Sequence, residues 1–457
     1  MKTQAMLPII AAALALSGCT MIPKYERPSA PIAARYPVGP DTNATPAAAE
    51  ISWREVFPDE RLNKLIEHAL TNNLDFRVAI LNVEQSRAQY RITRSDSFPH
   101  VNGSGSFVRS GAANRTADSW NASLGTTAYE LDLFGRVRSL NAQALEKILA
   151  TAEARRSAQI SLVAQVAEDY FTLLETGEQL ALARQTLAAV RESYALNRAT
   201  FEAGASSELD LRTAEGQVEN ANINVLTFER QLALAENALP LLLGGVLPDD
   251  LPRPGAFSAT NQVAEIPSGL PSELIGRRPD ILEAEHTLKA ANAGIGAARA
   301  QFFPTITLTG SLGTTSSEFE KLFGAGTGIW SFSPQVTLPI FTAGQTRANV
   351  DSAKVGAQIE IAHYQKAIQT AFREVADALA TTRSYSEQLT AQGALIQAQQ
   401  RRYELANLRY RQGDDTYLNV LSAQQDLYSA QQNQITAQLN RLTSQIALFK
   451  ALGGGWK

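Results

Sequence analysis

The only thiol in the chain is the first group whose position suggests chemistry. It belongs to Cys19, which follows a basic start, an apolar run that ends at Leu16, and Ser17-Gly18. This pattern is typical of a secretory signal, and a bacterial lipoprotein carries its lipid on a cysteine in this position. An ordinary buried cysteine after a chance apolar run is the alternative. We expect residues 1–18 to be removed as a signal peptide and Cys19 to carry a covalent lipid such as palmitate, with no other cofactor.

No arrangement of side chains predicts catalysis or metal binding. The run Gly324–Gly328 lacks the Lys-Ser or Lys-Thr pair of a phosphate-binding loop, and the sequence has no nucleophile elbow. Asp280 is expected to stabilise a helix N-terminus. The formal net charge of −4 gives no reason to expect a nucleic-acid partner. We therefore predict that the protein is not an enzyme. The histidines are too far apart in sequence for metal-ligand spacing: His68, His100, His286 and His363.

Two very long helical hairpins are predicted to dominate the fold. The segment Gln345–Tyr410 contains no proline, and apolar residues near its end recur every seven positions, which favours a left-handed supercoil. At about 1.5 Å per residue the helix would be roughly 100 Å long, too long to bury its apolar stripe inside one globule. After a turn at Gln412–Asp415 the chain is expected to return as a helix over Thr416–Ala451. The heptad residues are Leu389, Ile396, Tyr403 and Tyr410.

The same structural unit occurs twice. Phe201–Gly204 matches Tyr410–Gly413 at an offset of 209, and Phe98-Pro99 matches Phe303-Pro304 at an offset of 205. The chain is therefore predicted to be an internal duplication. In the first repeat, helices are expected over about 61–97, 137–203 and 207–243. The expected segments are a signal peptide (1–18), a lipidated, proline-rich extended segment (19–60), a first repeat (61–243), a linker (244–271), a second repeat (272–453) and a C-terminal tail (454–457).

Four strands of alternating character are expected between the helices. In the second repeat, apolar residues alternate with Thr, Ser and Gln over 305–312 and 330–338; in the first, strands are expected over 100–109 and 119–132, with a loop at 110–118. This alternation predicts a membrane barrel with lipid on one face and water on the other. A soluble β-sandwich is the alternative. The residues expected to face lipid are Ile306, Leu308, Leu312, Trp330, Phe332, Val336 and Leu338.

Four strands are too few to close a membrane barrel alone. About eight strands are the minimum, and open strand edges are not tolerated in lipid. Other copies of the chain must then complete the barrel, and strand counting alone leaves both a dimer and a trimer open.

Several motifs together carry a family likeness: Tyr129–Arg136, Arg278–Ile281, Phe302–Pro304 and Leu338–Phe341. Through them the chain resembles the outer-membrane factors of tripartite efflux pumps and type I secretion systems, the OprM/TolC family. The ending Ala451–Gly455 is similar to the lipidated OprM branch. The resemblance covers essentially the whole mature chain. It implies an α+β membrane protein whose duplicated chain contributes four β-strands to a trimeric 12-stranded outer-membrane barrel, and long coiled helices to a periplasmic α-barrel tunnel.

The resemblance also implies a gate at the periplasmic tip, where polar links join the hairpins. Tyr410 and Asp210 occupy linking positions of the family, so we expect Tyr410 to bond to Asp210 of an adjacent hairpin. Asp415 stands where TolC has an arginine, so that link cannot form. Asp414 and Asp415 either ring the lumen, with Arg411 as a compensating neighbour, or cap a helix in an exposed turn.

The alternating strands and long helices predict a duct, and the resemblance implies that it serves multidrug efflux and antibiotic resistance in the outer membrane of a Gram-negative bacterium, lipid-anchored and extending into the periplasm. The resemblance implies a homotrimer in contact with outer-membrane lipid. Its implied protein partners are a periplasmic adaptor and an inner-membrane pump of the resistance-nodulation-division (RND) type. The alternatives are a type I protein secretion duct and a structural coiled-coil lipoprotein without a pore. The lipidated terminus and the OprM-like ending favour efflux of small toxic solutes.

Overall fold

A computed structural model describes residues 20–33, 35–37, 52–112, 115–248, 250–253, 255, 257, 263–264 and 275–454. Cys19 and the signal peptide lie outside the described residues. The chain divides into two compact units. The strand unit is drawn from Met1–Ala30, Leu81–Ala154 and Leu282–Ala367, and the hairpin unit from Pro31–Ile80, Arg155–Ile281 and Ile368–Lys457.

The helices repeat with the offsets found in the sequence. Between the repeats, the starts of corresponding helices are offset by 205 from Leu74 to Pro279 and by 209 from Arg136 to Gln345. The two long helices contain 67 and 68 residues. No helix among the described residues is both long enough and apolar enough to span a membrane. The helices are α1 (Trp53–Val56), α2 (Glu60–Asn72), α3 (Leu74–Ser95), α4 (Arg136–Glu202), α5 (Glu208–Leu243), α6 (Pro279–Ala300), α7 (Gln345–Gln412) and α8 (Tyr417–Ala451).

The helix predicted over 61–97 is interrupted at Asn73, which is only 5 % exposed. Its Oδ1 accepts a hydrogen bond from the Phe76 backbone N–H at 2.7 Å, and its Nδ2 donates to the Leu242 carbonyl at 2.8 Å. An asparagine side chain that bonds the backbone in this way competes with helix continuity. The first helix of the repeat is therefore divided into α2 and α3.

Both hairpins turn in the same way. Gly204 and Gly413 have φ values of 74° and 82°, a conformation that favours glycine at a helix C-terminus. In each turn the glycine N–H and the following N–H donate to carbonyls of the preceding helix, at 2.8 and 2.9 Å in the first hairpin and 3.0 Å in the second. The duplication thus extends to the turn geometry.

The strand unit contains one antiparallel sheet in the order β1-β2-β3-β4. The strands are β1 (Val101–Ala112), β2 (Arg115–Leu131), β3 (Thr305–Ser316) and β4 (Gly328–Thr337). The prediction of a loop over 110–118 is wrong for its described residues, because strand pairing continues there. Ser110 lies opposite Ala117, and the Arg109 guanidinium forms an ion pair with Asp118 at 2.7 Å.

The register gives the sheet an apolar face and a polar face. Ile306 lies opposite Val336, and Leu312 lies opposite Trp330, and alternation along the strands puts Leu308 and Phe332 on the same face. Leu338 follows the end of β4 and is exposed. Trp330 is 78 % exposed and Phe332 62 %, so no described part of the chain covers the apolar face around these residues.

The polar face has less room than the apolar face. A Cβ at Gly125 would lie 2.6 Å from the Gly310 carbonyl oxygen, and a Cβ at Gly313 would lie 2.4 Å from that of Ala122. Both glycines are on the polar face by register. On the apolar face, a Cβ at Gly105 would have its nearest contact at 3.9 Å. Crowding on one side and room on the other indicate that the sheet curves toward its polar face.

The main hydrophobic core of the hairpin unit includes residues of the proline-rich segment, which composition predicts to be extended, and of the predicted linker. Trp53 and Phe57, from the proline-rich segment 19–60, are 2 % and 0 % exposed, and Phe257, from the linker 244–271, is 2 % exposed. The rings of Phe57 and Phe449 meet edge to face at 5.9 Å. Burial of each such ring contributes about 1.5–3 kcal/mol, a gain that proline content does not report.

Candidate functional site

An aromatic cluster joins the ends of the two hairpins. Tyr417 of α8 is buried against Ala214 of α5, and Tyr194, Tyr403 and Tyr410 lie partly buried around them. The rings of Tyr410 and Tyr417 are 5.4 Å apart. Burial raises the pKa of Tyr417 to about 12. The predicted heptad stripe of α7 therefore packs within its own chain at this end.

Within the chain, Tyr410 links the two hairpins through a hydrogen bond to Asn197, and its link to Asp210 in the assembled channel stays a prediction. Its hydroxyl donates to Oδ1 of Asn197 on α4 at 3.1 Å, and Asn197 is 1 % exposed. Asn197 is fixed in turn, since its Nδ2 donates to the Ser193 carbonyl at 2.9 Å. Burial, together with the nearby Asp210 carboxylate, raises the pKa of Tyr410. Within the chain, Asp210 is therefore an electrostatic neighbour of Tyr410, and Asn197 receives its hydrogen bond.

Asp210 is engaged by its own helix. Oγ of Ser207, the N-cap of α5, accepts a hydrogen bond from the Asp210 N–H at 3.1 Å, and the same hydroxyl donates to the Asp210 carboxylate at 2.7 Å. Ser207 therefore caps the helix through its side chain, while the Asp210 carboxylate bonds to the Ser207 hydroxyl and not to its backbone N–H, as it would in a full capping box. The carboxylate that we expected to bond to Tyr410 is therefore held by Ser207 of its own helix.

The acidic pair after the second hairpin turn occupies two environments. Asp414 is exposed, as is the neighbouring Arg411. Asp415 accepts hydrogen bonds from Nδ2 of Asn419 at 2.5 Å and from the Thr416 N–H at 2.8 Å. These bonds, and Arg409 at 3.7 Å, lower the pKa of Asp415. Asp415 therefore bonds to the start of α8, whose N-cap is Thr416, and the cation beside it is Arg409, where Arg411 was expected.

A further link near the second turn was missed by sequence reasoning. Arg402 of α7 forms an ion pair with Asp426 of α8 and donates to Ser422 Oγ at 3.2 Å. The signal was present, because the two charges lie at nearly equal sequence separations on either side of Gly413. Side chains placed in this way about a hairpin turn are brought together when the two helices run antiparallel.

The segment after Cys19 forms an extended strap on α6. Arg299 donates to the Met21 carbonyl at 3.4 Å, Asn292 donates to the Pro23 carbonyl at 2.8 Å, and Arg27 donates to Glu285 at 2.7 Å. From Met21 to Arg27 the strap advances six residues, which span roughly 20 Å at full extension. From Arg299 to Glu285 the helix covers fourteen residues, or roughly 21 Å, so the two lengths agree. Thr20 therefore lies beside the end of α6, shortly before β3 begins.

Glu285 is the centre of the strap's attachment. Its side chain is 3 % exposed and is contacted by Arg27 at 2.7 Å, Lys289 at 3.1 Å and the Tyr25 hydroxyl at 3.2 Å. Burial tends to raise the pKa of Glu285, but hydrogen bonds from Arg27 and Lys289 outweigh that effect and hold the pKa below its ordinary value. The strap is therefore fastened to α6 by a buried, ionised carboxylate.

Two ion pairs lie at the junction between β2 and α4. Arg136 donates to both oxygens of Glu130, from Nε at 2.9 Å and from Nη2 at 2.5 Å. Arg138 pairs with Asp132 at 3.1 Å. Asp132 also accepts hydrogen bonds from the Val137 and Arg138 backbone N–H groups at 3.2 and 2.8 Å. Asp132 therefore caps α4, whereas Arg136 is the residue that compensates Glu130.

Arg278 and Asp280 form a contact at the start of α6 that goes beyond the predicted capping role. Arg278 donates to the Asp280 carboxylate at 2.6 Å, to Glu374 at 2.8 Å and to the Ala451 carbonyl at 2.7 Å. Asp280 accepts from the Ile281 N–H at 3.0 Å. The buried guanidinium therefore ties the end of α8 to α7 and to the start of α6.

Metal-binding geometry is absent from the part of the chain that the structure describes, where no three His, Cys, Asp or Glu residues converge. His286 pairs with Glu146 at 2.6 Å, and His363 lies 3.2 Å from Glu360. Each of these two histidines is thus in contact with a single carboxylate.

Comparison with known proteins gives a consistent result. The family model described as outer membrane efflux protein matches residues 65–245 and 270–454. The chain is 48% identical to the toluene efflux pump outer membrane protein TtgC of Pseudomonas putida, over 99% of this chain and 96% of that protein. It is 39% identical to the cation efflux system protein CusC of Escherichia coli O6:H1, over 97% of each.

Solved structures agree with this assignment. The open state of the Neisseria gonorrhoeae MtrE outer membrane channel has a TM-score of 0.89 and 40% identity, and the match covers 96% of this chain and 99% of that one. The fold is therefore that of the outer-membrane channels, and the related proteins are named as channels or efflux components. The chain belongs to the outer membrane efflux protein family and is the outer-membrane exit duct of an efflux system in a Gram-negative bacterium.

Proposed function

We propose that three copies of the chain form a passive channel for small toxic solutes, gated where the hairpins end. The observation that carries this proposal is the four-stranded sheet, whose apolar face is uncovered and whose edge strands β1 and β4 have no further strand partner among the described residues. Open edges are not tolerated in lipid, and a closed barrel needs about eight strands or more. Three copies joined edge to edge would form a 12-stranded barrel, as the family resemblance implies.

The two faces of the sheet support the orientation of this barrel. The apolar face carries the residues predicted to meet lipid, and the crowded glycines Gly125 and Gly313 lie on the opposite face. A curved sheet closes with its concave face inside. The polar face would therefore line the water-filled lumen, and Ile306, Leu308, Leu312, Trp330, Phe332, Val336 and Leu338 would face the membrane.

The strap supports a lipid anchor at the membrane. Cys19 directly precedes Thr20, which lies beside the end of α6, and the strand β3 begins at Thr305. An acyl chain on Cys19 would be close to the helix end of the sheet. Mass spectrometry of the mature protein should find a diacylated Cys19 as its first residue. Detection of residues 1–18 on the mature chain would contradict this.

The gate is proposed at the hairpin ends. The Tyr410–Asn197 bond and the Arg402–Asp426 pair hold neighbouring helices together there. In an assembled trimer, Asp414 and Asp415 of each copy could add acidic groups around the opening, and acidic rings favour cations. Replacing both by asparagine should then weaken cation selectivity.

The partners of the channel are proposed from the family resemblance. They are a periplasmic adaptor and an inner-membrane pump of the RND type, and the pump selects the solutes. The related TtgC is named as a toluene efflux protein, which supports small apolar solutes as cargo. Cross-linking of cysteines introduced at the hairpin ends to a co-expressed periplasmic adaptor would test the partnership, and absence of a specific cross-link would contradict it.

Channel activity is tested with purified protein in planar bilayers, together with a deletion strain. We expect discrete conductance steps, a heat-modifiable trimer and hypersensitivity of the deletion strain to dyes and organic solvents. Loss of a secreted polypeptide without hypersensitivity would favour the secretion alternative. Absence of conductance from correctly assembled protein would favour a structural lipoprotein.

A further inference from the structure

The polar face of the sheet is almost free of charge. Between its two ends, its described residues are Ser, Thr, Asn, Gln, Gly, Ala, Val and Ile. Hydroxyl groups bond across the strands, at 2.9 Å between Ser104 and Ser123 and at 2.7 Å between Ser311 and Ser331. Glu130 is the ionisable residue of this face at the helix end, in register with Thr307.

The charge of Glu130 is compensated by one residue. Arg136 contacts both of its oxygens, and the two side chains are 39% and 17% exposed for Arg136 and Glu130 respectively. A bidentate guanidinium–carboxylate pair of this kind is geometrically specific and has no net charge. The Glu130–Arg136 pair therefore adds no net charge to the polar face at this level as long as Arg136 is present.

We infer that Arg136 keeps the β-segment of the channel non-selective between cations and anions, because it neutralises the charge of Glu130. This inference rests on the proposed function, in which the polar face lines the lumen of a trimeric barrel. In that assembly, an unpaired Glu130 would contribute one carboxylate from each copy to a single level of the pore. Rings of Asp or Glu make pores cation-selective.

The β-segment would then let solutes pass without selecting them by charge. A β-segment lined by neutral hydroxyl groups imposes no charge requirement on solutes that other components have already selected. Charged solutes of either sign and uncharged solutes could then leave by the same passage. Arg136 therefore acts on ion selectivity by neutralising the Glu130 carboxylate, and it need not contact a solute.

The test measures reversal potentials of full-length channels in planar bilayers under a KCl gradient. All variants carry Asp414→Asn and Asp415→Asn, so that acidic groups after the second hairpin turn do not set the potential. Arg136→Gln should raise the K⁺/Cl⁻ permeability ratio at least about twofold at 0.01 M salt, where the Debye length is about 30 Å, and less at 1 M, where it is about 3 Å. Glu130→Gln should shift the ratio in the opposite direction.

The double variant Glu130→Gln/Arg136→Gln provides the decisive comparison. It removes both charges, so its permeability ratio should return to that of the background. Arg138→Gln is the matched control, because Arg138 and its partner Asp132 have the same side-chain exposures, 39% and 17%. Asp132 keeps its two backbone N–H donors in this control, so a much smaller shift is expected.

A structural role for the pair would give a different pattern. If both single variants shift selectivity in the same direction, or if the double variant stays shifted, the inference is wrong. If Arg136→Gln does not assemble, Thr307→Lys, in register with Glu130, must shift the ratio toward anions, and an unchanged ratio overturns the inference. If the background protein assembles but does not conduct, the proposed channel function fails instead.

Discussion

Replacing Tyr410 by phenylalanine should make the channel open more often. The substitution keeps the ring and its 5.4 Å contact with Tyr417 but removes the hydrogen bond to Asn197. Because Asn197 is 1 % exposed, its Oδ1 would lose this partner in a site with little access to water. Leaving a buried acceptor unsatisfied costs about 1–3 kcal/mol. Over three copies the total would be about 3–9 kcal/mol, compared with about 5.5 kcal/mol needed to change a 1:99 equilibrium to 99:1.

Single-channel recording measures this effect directly. We expect Tyr410→Phe to raise open probability and to increase passage of large antibiotics into cells. Tyr403→Phe is the control, since Tyr403 lies one heptad earlier in the same cluster and its hydroxyl makes no hydrogen bond to a described residue. A double-mutant cycle with Asn197→Ala should show coupling, whereas a cycle with Asp210→Asn should show much less.

An unchanged open probability in Tyr410→Phe would refute this reasoning about the gate. A bond that is equally strong in the closed and open states shifts no equilibrium. The link would then only stabilise the aromatic cluster, and the barrier to opening would lie elsewhere. Strong coupling to Asp210 without coupling to Asn197 would instead show that the assembled channel uses the partner expected from the sequence.

Three further predictions concern the sheet, the strap and the contact at the start of α6. Leu308→Arg on the apolar face should destabilise the membrane-inserted protein by about 2–4 kcal/mol, while Thr307→Arg on the polar face should assemble and alter conductance; equal damage from both would contradict the assigned faces. Glu285→Gln should make the strap more sensitive to limited proteolysis. Because the pKa of Glu285 is lowered, its contribution to holding the strap is present above pH 4.5 and is lost as the pH falls below that value. Protection of the strap from proteolysis should therefore decline below pH 4.5 in the wild type and stay constant in the variant. Arg278→Met should lower unfolding stability by about 2–3 kcal/mol, because the Ala451 carbonyl loses a buried partner while the two carboxylates remain partly solvated; an unchanged melting temperature would show that this contact adds little.

The sequence by itself determined the elements and their repetition. Heptad spacing ending at Tyr410 and the offset of 209 between Gly204 and Gly413 are local patterns, and helices and turns follow from local patterns. The alternation over 305–312 likewise predicts a two-faced strand, and the register agrees with it. The long helices begin and end within two residues of their expected positions.

Tertiary structure decided which side chains meet. Within the chain, the partner of Tyr410 is Asn197, 213 residues away, and the Asp210 carboxylate accepts a local hydrogen bond from the Ser207 hydroxyl. Asn73, which divides a helix through its local bond to Phe76, is also bound to the distant Leu242 carbonyl, and Trp53 enters the core from the segment predicted to be extended. The strap is bound to Glu285, 258 residues from Arg27. Long-range contacts of this kind depend on the three-dimensional path of the chain, and a periodic pattern specifies only which face of an element is apolar.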